Sequence, residues 1–104
     1  MKKSIKIGKN KYSITQVNLI EKDPNVLGKI KHDKQKIFIK KQNKKEAKDT
    51  LYHEIAHGII VDLAFASSEN NVKIKNIRAL SELNNNEGFI EYFGNVLRNM
   101  FKLK

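Results

Sequence analysis

Residues 50–60, TLYHEIAHGII, decide how the rest of this 104-residue chain is read. They lie within KKEAKDTLYHEIAHGIIVDLAFA, residues 44–66, a proline-free run whose composition tolerates helix throughout. Asn43 is placed as an N-cap, with Glu46 three residues on. On a helical wheel His53, His57, Ile60 and Ala64 share one stripe. Leu51, Ile55, Ile59 and Leu63 cover the other faces. A helix apolar nearly all round is a buried helix, so the two histidines lie in or beside the core.

The same spacing has chemical content. Residues i and i+4 sit one turn apart on one face, so His53 and His57 can offer two imidazole nitrogens to one ion. Glu54 is rotated about 100° from His53, within reach of a water on that ion without ligating it. Zinc lowers the pKa of such a water to about 7, and a glutamate can then take its proton. The plain alternative is a pair of core histidines hydrogen-bonded to backbone or carboxylate. Burial weighs against it, because unpaired imidazoles inside a protein are costly.

A catalytic zinc needs a third protein ligand. His32 is one candidate, beside a turn where a histidine is ordinarily exposed. Glu87 and Glu91 are the others, on a helix expected from about 87 to 102 with Phe89, Phe93, Val96, Leu97 and Met100 on its core face. Periodicity turns both glutamates away from that stripe. The face around Glu91, however, carries Gly88, Gly94 and Asn95. Glycine inside a helix costs roughly 1 kcal/mol relative to alanine, which makes sense where two backbones approach closely, as against Gly58 of the histidine helix. The balance therefore falls on Glu91.

Upstream, residues 4–8 and 11–20 alternate or carry β-branched residues and read as strands joined by a turn at GKN. KDPN, residues 22–25, is a breaker. LGKIKHDKQKIFIKK, residues 27–41, reads as a hairpin with its turn at HDKQ. The expected fold class is α+β: a small N-terminal antiparallel sheet, a buried histidine helix and a C-terminal helix with the third ligand, in one domain over residues 1–104. Residues 67–71 are expected to be a loop, and 72–83 are ambiguous between strand and short helix.

Composition narrows the setting. There is no cysteine, which excludes disulfides and cysteine-bound zinc and fits a reducing compartment. No apolar run follows the N-terminal lysines, and the longest apolar stretch, GIIVDLAFA, is broken by Asp62, so a soluble cytoplasmic protein is expected. The formal charge of +10 would attract phosphate. The cations are nearly all lysine, with Arg78 and Arg98 the two arginines, and specific nucleic-acid recognition leans on arginine. Nucleic acid is therefore not the expected partner.

TLYHEIAHGI followed by EGFIEYFGNVL resembles the ImmA/IrrE family of small zincin-type metallopeptidases, particularly its short phage and mobile-element members. Thr50, Leu51, His53, Glu54, His57 and Ile59 match the first family motif. Ile90, Glu91, Phe93, Asn95 and Leu97 match the second, and the match carries the third ligand onto Glu91. The resemblance implies a zinc-dependent endopeptidase with His53, His57 and Glu91 on the metal and Glu54 as base. It also implies a protein substrate, often a helix-turn-helix repressor, lying extended along a sheet edge formed by residues 37–40. Asn95 is a candidate for steadying a ligand. Tyr52, Tyr92, His32 and Arg78 are candidates for stabilising the transition state. A second reading keeps the metal but assigns function to contact alone, as an antirepressor or inhibitor.

Overall fold

Alternating apolar residues build four strands, and the change of period at Lys44 begins three helices. The strands are β1 (Ser4–Ile7), β2 (Asn10–Val17), β3 (Gly28–Lys31) and β4 (Lys36–Lys40). The helices are α1 (Lys44–Glu69), α2 (Ile77–Asn84) and α3 (Glu87–Lys102). This computed structural model describes residues 3–69 and 77–102. The α+β class follows as expected. No helix among the described residues is long and apolar enough to cross a membrane.

The sheet is mixed, not antiparallel, with strand order β1-β2-β4-β3. β1 pairs with β2, and β3 with β4, in antiparallel fashion, but β2 and β4 run parallel with Ile14 opposite Ile37. Alternation specifies which residues face the core and is silent about the direction of the neighbouring strand. The chain between β2 and β3 crosses the end of β4. There Lys40 N–H donates to Leu27 O at 2.9 Å and Lys41 N–H to Val17 O at 2.8 Å. The consequence corrects a second expectation: β4 is interior, and the edge on that side of the sheet is β3.

Helix α1 starts where Asn43 caps it, its side-chain oxygen accepting from Glu46 N–H at 2.9 Å. One side of α1 contributes Ala47, Leu51 and Ile55 to a cluster with Ile7, Tyr12, Ile14, Ile37 and Ile39 of the sheet. Another side places Ala56 and Ile60 against Ile90 of α3, with Leu80 of α2 packed on them. Gly58 meets Ile7 and Ile30 of the sheet, not α3 as expected. The helix continues through Glu69, so residues 67–69 of the expected loop are helical, while 70 and 71 lie outside the described residues. The ambiguous segment resolves as helix α2 from Ile77 onward.

Helix α3 has the expected bounds and is capped by Asn86, which accepts from Phe89 N–H at 3.0 Å. Its most buried side chain is Ile90, absent from the expected core face, whereas Met100 is 61% exposed. The expected close approach is real at one glycine. A Cβ on Gly94 would lie 3.2 Å from His53 N and from Tyr52 C and O. Gly88 meets only Asn86 Oδ1, at 3.5 Å.

Backbone atoms of a helix cannot step aside as a side-chain tip can. Gly94→Val should therefore destabilise by about 1–3 kcal/mol through overpacking, although replacing a helical glycine is ordinarily favourable. Urea unfolding measures this; an unchanged midpoint would mean the two helices separate without cost.

Candidate metal centre

Because α1 is helical through both positions, His53 and His57 stand one turn apart, with ring centroids 5.0 Å apart and rings edge to face. The carboxylate that meets them is Glu87, at the first position of α3. Glu87 Oε2 lies 3.2 Å from His53 Nε2, and Oε1 lies 3.8 Å from His57 Nε2. One ligand atom from each of the three residues falls within 4.8 Å of the others. Tetrahedral zinc at ~2 Å from its ligands holds them roughly 3.3 Å apart, so this donor set fits such an ion with small adjustments.

Glu91 does not join this group. It lines a cavity of about 570 Å³ beside it, together with Thr50, His53, Glu54, Gly94 and Asn95. The reason is angular. At about 100° per residue, Glu87 lies seven residues before Gly94, about 20° short of two full turns, and so shares the face seated on α1. Glu91 lies three residues before Gly94 and is rotated about 60° off that face. The phenylalanine periodicity turns Glu87 outward, but the glycine marks the contact line.

The second ring nitrogen of His57 is also held. His57 Nδ1 lies 2.9 Å from Asn84 Oδ1, and because a carbonyl oxygen accepts, Nδ1 carries the proton. In the neutral ring the Nε2 lone pair is then left facing the Glu87 carboxylate. A lone pair opposed to a carboxylate is unfavourable by itself and favourable with a cation between them. Sequence reasoning missed Asn84; its signal is that it closes α2 as the first of three consecutive asparagines, Asn84 to Asn86, ahead of Glu87.

Glu54 is the buried carboxylate of the site, 7% exposed. It lies against β3: a Cβ on Gly28 would sit 3.3 Å from its Oε1. The backbone N–H of Ile30 donates to it. Burial, opposed by nearby His57, pushes its carboxyl up to about 7. His53 is held below the ordinary imidazole range, first by burial and then by His57, with Glu87 and Glu91 pulling the other way. His32 is also lowered by burial and then by His57, which places it near the site, and its Nδ1 is buried without a partner among the described residues.

The remaining candidates separate clearly. Asn95 lines the cavity. Tyr92 is 67% exposed. Tyr52 is stacked on Phe101 with centroids 5.9 Å apart, and neither tyrosine lines the cavity. The Arg78 side chain lies outside the described residues.

No family model matches the chain, and no curated protein or solved structure matches it either.

Two predictions follow from these contacts. A carboxyl raised from its ordinary 4.5 to about 7 binds more protons folded than unfolded, so it favours folding below pH 4.5. That contribution is lost as pH rises to 7, by up to roughly 3 kcal/mol. In metal-free protein the difference in stability between wild type and Glu54→Gln should therefore shift toward the variant across this window; parallel curves would contradict the burial. Asn84→Ala should weaken zinc binding about 10–100-fold through loss of ring orientation, read by competition with a chromophoric chelator.

Proposed function

We propose that this chain is a metal-dependent endopeptidase with a minimal zincin-like arrangement. His53, His57 and Glu87 hold zinc, and Glu54 acts as general base. The observation that carries this reading is the gathering of one ligand atom each from His53, His57 and Glu87 within 4.8 Å of one another, with a buried glutamate next in sequence to the first imidazole. Zinc, when bound, supplies a Lewis acid that polarises a carbonyl and acidifies water.

The rest of the chemistry belongs to the chain. Glu54 lines the same cavity as His53 from a buried position between α1 and β3. A cation beside it favours its ionised form, which leaves it a base at neutral pH. The Ile30 N–H fixes the carboxylate against β3, so the oxygen that takes a proton is held in place. Asn84 keeps His57 in the tautomer whose Nε2 carries the free lone pair that would ligate the metal. Among the candidates for steadying a developing oxyanion, Tyr52 and Tyr92 do not line the cavity, while His32 lies close enough to His57 to feel its charge. A peptide substrate adding to the sheet on this side would pair with the edge strand β3, whose Ile30 N–H is already given to Glu54, with the cavity beyond His53 receiving a side chain.

Metal content of wild type, Glu87→Ala and Glu91→Ala, each purified without a metal-binding tag, tests the ligand set. About one zinc per chain in wild type and in Glu91→Ala, lost in Glu87→Ala, is expected; loss in Glu91→Ala with retention in Glu87→Ala would return the ligand to Glu91. Hydrolysis is read on a mixed peptide library by mass spectrometry. Glu54→Gln should keep its zinc and cleave at least about 100-fold more slowly. Zinc binding with no cleavage by wild type would instead assign the site to a metal-stabilised module that works by contact.

A further inference from the structure

The face of the sheet turned away from α1 is rich in lysine. Strands β1–β4 contain no aspartate or glutamate, and their lysines are Lys6, Lys11, Lys29, Lys31, Lys36 and Lys40. Each alternates with a residue directed at the helix side, such as Ile7, Tyr12, Ile30, Ile37 and Ile39, so all six share the outer face. The register sharpens this. Lys6 lies directly opposite Lys11, and Lys31 directly opposite Lys36.

Like charges directly opposite one another across a sheet are destabilising. Two such pairs on one small sheet are an arrangement that folding alone does not favour, and an anion laid over them removes the repulsion. Lys29 is partly neutralised by its ion pair with Glu21, and Lys40 Nζ donates to Pro24 O. Lys6, Lys11, Lys31 and Lys36 have no ion pair among the described residues. Lys31 lies 5.6 Å from the centre of the Phe38 ring, an aromatic set among the cations on the same face. The acidic residues at the metal centre, Glu54 and Glu87, lie on the helix side of the sheet, away from these lysines.

We infer that this outer face binds the phosphate backbone of nucleic acid without regard to sequence. Paucity of arginine argues against base readout but not against phosphate contact, for which lysine suffices as a point charge. Strand geometry sets the cations on a grid of about 5 by 7 Å, a flat array suited to a repeating polyanion rather than to one small anion. This inference does not depend on the peptidase reading, since it uses none of the residues of the metal centre.

The test is binding of the full chain to a short random-sequence DNA duplex as salt is varied. Four lysines on four phosphates give a log–log slope of about −3.6, a loss of about a hundredfold between about 50 and 200 mM salt. The variant K11T/K36T removes one lysine from each opposed pair. Its slope should fall to about −1.8, a loss of about tenfold over the same range, with a melting temperature no lower than wild type because both repulsions are relieved. Absence of binding at low salt overturns the inference. An unchanged slope in a folded K11T/K36T also overturns it, by locating the attraction elsewhere. Tighter binding to phosphatidylserine vesicles than to DNA would assign the face to a membrane surface and overturn it too.

Discussion

The contact of Gly94 with the backbone at Tyr52 and His53 is the constraint on which the candidate centre depends. With no side chain between them, α3 and α1 touch along a line through Gly94 and Ile90. Following that line toward the start of α3 leads to Glu87, brought over the two imidazoles. The Asn86 cap fixes where α3 begins and so where that carboxylate stands. A bulkier residue at position 94 would tilt or lift α3, and the displacement would be felt at Glu87, two turns away. A packing requirement in the middle of the helix and a coordination requirement at its end are thus one geometric condition.

The sheet contributes in a different way. By laying β3 along α1 it encloses Glu54, and the energetic cost of burying that carboxylate is met by the Ile30 N–H and by retention of a proton until about pH 7. A cation at the neighbouring imidazoles would relieve the same cost from the other side. The group that burial strains most is therefore the one that a cation at the neighbouring imidazoles would relieve most.

Much of this was legible in the sequence because it is local. The Asn43 cap, the bounds of α3, the facing of His53 and His57, and the inward set of Ile14, Ile37 and Ile39 all follow from periodicities of a few residues. What was not legible depends on partners distant in the chain. The parallel pairing of β2 with β4 leaves the same alternation as an antiparallel pairing would. The choice between Glu87 and Glu91 turned on which stripe of α3 meets α1. The phenylalanines, although partly buried, flank that stripe, while Ile90 and Gly94 define it. His32 read as a turn residue, yet the hairpin folds back far enough to bring it near His57.

The open edge at β3 has a further consequence for how the molecule behaves toward its own copies. An unpaired strand edge is a site where identical chains can join sheet to sheet. This edge is only four residues long and carries Lys29 and Lys31. A second copy docking edge to edge would bring those lysines against their own counterparts, whereas an extended chain of different composition would meet no such barrier. The edge is thereby guarded against self-association by its own lysines.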